Sequence, residues 1–274
     1  MVKGWRRDGA WPPVGEGRVQ PLDTVNCVNL RWQHVLERSG WLTMDSATLT
    51  QSERLSGDIP GLDIPGLDLA ALLCSRLCHD LLSPVGALSN GLELLAEEKD
   101  PEMRKRCFEL LEQSAKSSAD KLRFFRLAFG AAGGFDAMVP VAEARSVIEG
   151  LIGGAGRITL EWMVAGDALP KSAVKVLLNF ALIGIEALVR GGTLTIAAEL
   201  LEGRTEIVVR AAGARIAFDP TIGAALDGRL PVADLSSRTA AAAMIHQLAR
   251  SHGGHLQFAR DEAALVLGAD LPAA

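Results

Sequence analysis

The sequence holds little that would send it to a membrane or bind it to nucleic acid. No apolar run reaches the ~20 residues needed to span a bilayer. The N-terminal MVKGWRRDGAWPPVGEGR has no signal-peptide apolar core. No basic run or stripe stands out in a chain of formal net charge −5, which argues against a nucleic-acid partner. A cytoplasmic protein is therefore expected. Cysteine is scarce too: Cys27, Cys74, Cys78 and Cys107 form no C-x-x-C pair, so neither a zinc knuckle nor a redox motif is spelled out. Buried reduced thiols are the expectation for all four. What is plentiful is apolar content, 49% of 274 residues, enough for one large core or two ordinary ones.

Composition divides the chain. Four of the five tryptophans precede residue 42, among Gly, Pro and Arg and without periodicity. This region reads as disordered or as an over-extended start, with Met44 as an alternative beginning. Then DIPGLDIPGLD, Asp58 to Asp68, repeats a Pro-Gly pentad in linker fashion, with a helix N-cap expected at Asp63 or Asp68. Residues 1–62 are expected to be an N-terminal extension and linker.

From Leu69 the residues Cys74, Leu77, Cys78, Leu81, Val85, Leu88, Leu92 and Leu95 keep helical spacing. Asp100-Pro101 is the next start signal, an N-cap with proline in the first turn. A second helix is predicted from Pro101 to about Phe129, with Met103, Cys107, Leu110, Leu111, Leu122 and Phe125 as its apolar side. Two such helices, each on the order of 40 Å at 1.5 Å per residue, make an antiparallel hairpin over 63–133. A single hairpin leaves much apolar surface wet, and a four-helix bundle from two copies covers it. After the Gly-rich GAAGGFDA, residues 134–274 mix strands and helices. The predicted strands are RITLEWMV, GTLTIAAELL, TEIVVRAA, HLQFARD and ALVLGADL. Helices are expected near Val141–Leu151, Lys171–Val189 and Ser236–Ser251. That pattern predicts an α/β sandwich and an α+β chain overall.

His79 falls away from the apolar stripe of the first helix. It lies among Ser75, Ser83, Gly86 and Asn90, where a partner can approach closely. Asp80, ~100° around the helix, is near enough to set the basicity and tautomer of the imidazole. A histidine so placed suits nucleophilic attack on phosphorus. Pro84 is the odd residue: a proline inside a helix costs about 3 kcal/mol. The string H-D-x-x-S-P, His79 to Pro84, resembles the phosphoacceptor box of two-component histidine kinases. In that resemblance the hairpin is the dimerisation and phosphotransfer domain.

The three nucleotide boxes of a kinase ATPase domain are eroded. LLNFALIGIEAL resembles the N-box with Asn179 at its first asparagine, but Ile183 replaces the second. In VVRAAGARI the adenine-reading aspartate is Ala211; Gly213 remains and the last glycine is Arg215. In TAAAAMIHQLARSHGG both glycines are lost, to Thr239 and Ala241. Adenine needs a buried acceptor, and a triphosphate needs close backbone approach and a metal, so ATP binding is not expected. Arg215 reads either as solvated loop charge or as an anion contact. His252 and His255 flank a glycine pair without carboxylate or cysteine ligands nearby, so no metal site is expected. His246 and His34 carry no motif.

Hairpin, box and erased sites together are similar to the ChpT-type histidine phosphotransferases, and CHDLLSPVGALSNGLELL and EALVRGGTLTIAAEL carry most of the similarity. It covers roughly Leu67 to Leu271. The resemblance implies a homodimer with a degenerate, Bergerat-like ATPase domain. It implies that His79 accepts phosphoryl from the receiver domain of a hybrid histidine kinase and passes it to response regulators of the cell-cycle type. Asp80 and Ser83 would support it. No intrinsic cofactor is implied, Mg²⁺ coming from the partner receiver. Two other readings of the chain stay open at this point: a dimeric pseudokinase scaffold with His79 incidental, and a divergent active kinase. Lys116, Lys121, Arg123 and Arg126 on the second helix are either cations for an acidic receiver surface or ordinary exposed charge.

Overall fold

Asp100 and Pro101 open the second helix as expected, and the geometry shows how. In the computed structural model, which describes residues 64–130, 137–153 and 156–272, the Asp100 carboxylate accepts from the backbone N–H groups of Glu102 and Met103. Helix α1 spans Gly66–Glu97 and α2 spans Pro101–Phe129. The turn between them is tied from both sides. Glu98 Oε1 accepts from the amides of Lys99 and Asp100, and Arg104 of α2 donates to the carbonyls of Leu95 and Glu98, each at 2.8 Å. Those carbonyls are among the ones a helix end leaves unpaired. Helix α1 begins after Pro65 without a side-chain cap, and Asp68 stands inside its first turn; the expectation of an Asp68 cap is not met. Asp63, the extension over 1–62 with Cys27 and His34, and residues 131–136 of the Gly-rich segment lie outside the described residues.

The apolar stripe of α1 divides. Leu77, Leu81, Leu88 and Leu95 are partly covered and Pro84 and Gly91 are buried, whereas Leu82, Val85 and Leu92 are exposed. On α2, Cys107 and Phe125 are buried, and Met103, Leu110 and Leu122 are exposed. Cys74 and Cys78 follow the uncovered side of the stripe, so of the three described thiols only Cys107 is buried. The expectation of uniformly buried cysteines is corrected for these two, because one partner helix covers only part of so wide an apolar face. Gly91 marks the close crossing of the hairpin: a Cβ there would come within 2.9 Å of Leu111 Cδ2.

The second half begins with strand β1 (Met138–Pro140) and helix α3 (Val141–Ile152). Strands β2 (Ile158–Val164) and β3 (Ala168–Pro170), helix α4 (Lys171–Ala187), and strands β4 (Gly192–Leu201) and β5 (Arg204–Ala212) follow. Then come the short α5 (Pro220–Leu226), a 3₁₀ turn at Val232–Asp234, α6 (Ala240–Ser251), β6 (His255–Arg260) and β7 (Ala264–Pro272). All five strands read from the sequence are present. Their sheet order is β2-β4-β5-β7-β6, with β2 parallel to β4 and the other pairs antiparallel. The pair β1-β3, helix α5 and the 3₁₀ turn were not foreseen. Three residues with a proline at the end offer no alternation to read.

Leu194, Ile196, Ile207, Val209, Leu265 and Leu267 point from one face of the sheet into the core, each completely buried. Helix α4 lies on that face and is buried nearly all round, with Val174, Leu177, Leu178 and Phe180 inaccessible. Phe124, Phe125 and Ala128 from the end of α2 belong to the same apolar cluster, so the hairpin is rooted in the sandwich core. Phe125 stacks on Phe129 with ring centroids 5.4 Å apart. The architecture is the expected α+β one: a helical hairpin followed by an α/β sandwich.

Candidate functional site

The face of α1 that carries His79 is open. The imidazole is 80% exposed, and its Nδ1 lies 3.0 Å from Asp80 Oδ1. Asp80 itself is only 18% exposed at its side chain and is held elsewhere too. Burial pushes its carboxyl up. Hydrogen bonds from Arg76 and His79 and the charges of Arg76 and Lys121 outweigh that, so it sits below the ordinary carboxylate value. An ionised carboxylate only accepts hydrogen bonds. The neutral imidazole therefore carries its proton on Nδ1 and donates it to Asp80, leaving a lone pair on Nε2 aimed outward. Ser83 stands exposed one turn further along.

Arg76 and Glu186, which the sequence pattern does not single out, complete the cluster together with Lys121. Arg76, one turn before Asp80, donates from Nε to Asp80 Oδ2 at 2.7 Å and pairs through its other edge with Glu186 of α4. Its guanidinium is charged in this setting: burial opposes the charge, and Glu186 and Asp80 more than restore it. Lys121 of α2 donates from Nζ to the main-chain carbonyl of Asp80 at 2.7 Å. That carbonyl is the one Pro84 leaves vacant. An α-helical amide at position 84 would bond to the oxygen at position 80, and proline has no N–H to give. The mid-helix proline thus frees an acceptor next to His79, and the facing helix satisfies it. The signals were present in the sequence: i,i+4 spacing for Arg76 and Asp80, and an orphan carbonyl four residues before any helical proline.

Lys121 is accordingly committed within the chain. Arg123 and Arg126 stay largely exposed, 3.6 Å from Asp120 and 3.7 Å from Glu143 respectively. Lys116 is exposed.

The remnants of the nucleotide boxes lie in packed surroundings. Asn179 is completely buried; its Nδ2 donates to the Lys175 carbonyl at 2.8 Å, and its Oδ1 has no partner among the described residues. Ile183 and Ala211 are core residues. Between them Gly184 lets α4 touch the sheet: a Cβ there would be 2.7 Å from Leu194 Cδ1. Gly213 also has a packing reason, since a Cβ would meet the Gly191 carbonyl at 2.7 Å. Thr239 and Ala241 are buried, and Thr239 Oγ1 accepts from the Ser236 amide. Arg215 is exposed in its loop.

Two other described histidines bond to backbone carbonyls. His252 Nδ1 bonds to the Leu248 carbonyl and His246 Nδ1 to that of Leu226. Among the described residues no group of three His, Cys, Asp or Glu side chains gathers as for a metal ion. No helix among them is long and apolar enough to cross a membrane.

A two-helix hairpin with an outward histidine, joined to a sandwich of this kind, is the architecture of a phosphotransfer protein. Residues 141–264 match the family model of the histidine phosphotransferase C-terminal domain. Over 150 residues the chain is 39% identical to the protein phosphotransferase ChpT of Brucella abortus (strain 2308), covering 55% of this chain and 70% of that one. A solved bacterial phosphotransferase superposes with a TM-score of 0.67 at 32% identity, over 75% of this chain and 97% of that one. The chain belongs to the ChpT-type histidine phosphotransferases, phosphorelay enzymes.

Proposed function

We propose that His79 is the phosphoacceptor, taking phosphoryl from an aspartyl phosphate on the receiver domain of a hybrid histidine kinase and returning it to the aspartate of a response regulator, without ATP. The observation that carries this reading is an imidazole 80% exposed to solvent whose Nδ1 lies 3.0 Å from the Asp80 carboxylate, an arrangement that leaves Nε2 free to attack. The Nε2 lone pair attacks phosphorus in line, the P–O bond to the receiver aspartate breaks, and the carboxylate leaves with its electrons. The proton stays on Nδ1, shared with the Asp80 carboxylate, which offsets the positive charge that develops on the ring. The second transfer runs the same step in reverse toward the regulator. Most of the catalysis is positioning and charge neutralisation, and in this reading the receiver brings the Mg²⁺ while this chain contributes no cofactor. Ser83, one turn away, faces the same approach path.

The absence of an ATP step is supported by what fills the former boxes: Ile183, Ala211, Thr239 and Ala241 are packed side chains where a nucleotide requires a ligand, an acceptor and open backbone. A homodimer is supported by the uncovered apolar face of the hairpin, with Leu82 74%, Leu92 60% and Leu110 59% exposed. A second hairpin presents the matching stripe. The working division is then a dimerisation and phosphotransfer hairpin over 63–133 and a degenerate ATPase-like domain over 134–274. The partners on this reading are cytoplasmic receiver domains, with regulators of the cell-cycle type.

Incubation with a ³²P-labelled receiver domain tests the proposal. The wild type should take up acid-labile label and His79→Ala should not, while γ-labelled ATP alone labels neither. Equal relay by both variants would leave a scaffold as the function, and self-labelling from ATP would make the chain a kinase.

A further inference from the structure

We propose that Arg76 is a positioning residue for phosphotransfer, holding the Asp80 carboxylate against the His79 ring and, through Glu186, making the C-terminal domain the anchor of the phosphoacceptor site. This rests on the assignment of His79 as the acceptor.

Arg76 is the most buried member of the cluster, 8% exposed, on a helix whose other charges apart from Asp80 face solvent. A guanidinium is costly to bury unless its donors are matched, and here its flat fork meets two carboxylates. Nε donates to Asp80 one turn ahead, and the Nη2 edge to Glu186, 110 positions on in sequence. Asp80 uses its two oxygens separately. Oδ2 takes the guanidinium and Oδ1 takes the His79 ring. Fixing Oδ2 is what leaves Oδ1 pointing at Nδ1. An aspartate with both oxygens free has other staggered rotamers available, and a solvent-exposed imidazole that loses its acceptor no longer has one nitrogen chosen for protonation. Molecules with the proton on Nε2 have no lone pair at that outward nitrogen and cannot attack phosphorus through it.

The same arrangement gives the sandwich a task that needs no nucleotide. Glu186 is on α4, three residues past Ile183, in the helix of the eroded N-box. The body of α4 is locked in the core, which fixes the backbone of Glu186; its side chain, 42% exposed, reaches from there to Arg76. The neighbouring bond from Lys121 to the Asp80 carbonyl restrains the same residue through its backbone.

The test uses the full chain. Long-range ¹H–¹⁵N NMR reads which ring nitrogen of His79 is protonated, with His79→Gln identifying the signals. The wild type should show the Nδ1–H form predominating. Arg76→Met should shift the population toward Nε2–H and slow uptake from a phosphorylated receiver by about tenfold, the scale of losing a hydrogen bond to a charged group. Arg76→Lys keeps the charge without the fork, so it should restore only part of either property. Glu186→Gln leaves the Arg76–Asp80 contact in place and should move both readouts in the same direction by about threefold. It also carries the test should Arg76→Met not fold, as judged by circular dichroism. An unmoved tautomer and unchanged transfer in folded Arg76→Met, or in Glu186→Gln where that stands in, overturn the proposal. A tautomer that shifts as described while His79→Ala still takes up label would instead remove His79 as the acceptor and leave the hold of Arg76 on Asp80 standing.

Discussion

Pro84 deletes one amide from α1, and the consequence is measurable at Lys121. Lys121→Met leaves the Asp80 carbonyl without a donor and should lower stability by about 1–3 kcal/mol. In a Pro84→Ala background the restored amide reclaims that carbonyl, so the same substitution should then cost under about 1 kcal/mol. A double-mutant cycle by urea unfolding reads the difference, and additive losses would show that the lysine and the proline act independently. Asp80 makes a second prediction at this scale. Its carboxyl is held below the ordinary value, so the unfolded chain takes up the proton first as pH falls. The stability it contributes is therefore complete above about pH 5 and is lost as pH drops through its lowered folded value. Wild type should lose stability between about pH 5 and pH 3 more steeply than Asp80→Asn, as followed by thermal unfolding across that window.

At the scale of elements, α2 belongs to two structures at once. Its first turns close the hairpin through the Asp100 cap and Arg104, and its last turn delivers Phe124, Phe125 and Ala128 to the sandwich core. Phe124→Ala should cost about 3–5 kcal/mol, as for other fully buried aromatics. Hairpin and sandwich should still unfold in one transition, which calorimetry would show. Two separated transitions would mean that the helices stand apart from the sandwich energetically. Helices α3, α4 and α6 were legible to within a few residues because they are long and bury a continuous face, whereas the seven-residue α5 was not. Helix α6 starts at Ala240 rather than Ser236, since Ser236 to Thr239 are taken up by a turn in which Thr239 bonds back to Ser236. The strand pair β1-β3 escaped because its signal is only a long-range pairing of Val139 with Leu169.

For the whole molecule, the exposed stripe of Val85, Leu92 and Leu110 predicts the oligomeric state. Light scattering of the wild type should give twice the chain mass of 29.0 kDa. Val85→Glu with Leu92→Glu should halve that value, because charge desolvated at a helix seam is costly. The circular dichroism of the variant should be retained, since neither side chain is in the core. A wild-type particle of one chain mass would mean that the stripe meets something other than a second copy.

Much of this protein is determined within short stretches of its sequence. The Asp100-Pro101 helix start, the five strands, the H-D-x-x-S-P box and the lost nucleotide residues are local patterns, and local periodicity and stereochemistry suffice to produce them. Two exposed cysteines were missed because a helical stripe does not say how many partners cover it. The tertiary structure alone decided that Asn179 and Gly213 serve packing, and that Arg76, Lys121 and Glu186 converge on Asp80. Those bonds join residues 41 and 110 positions apart. No repeat in the chain encodes such a meeting; it exists only because burying the apolar faces of α2 and α4 brings their polar ends to the histidine's helix.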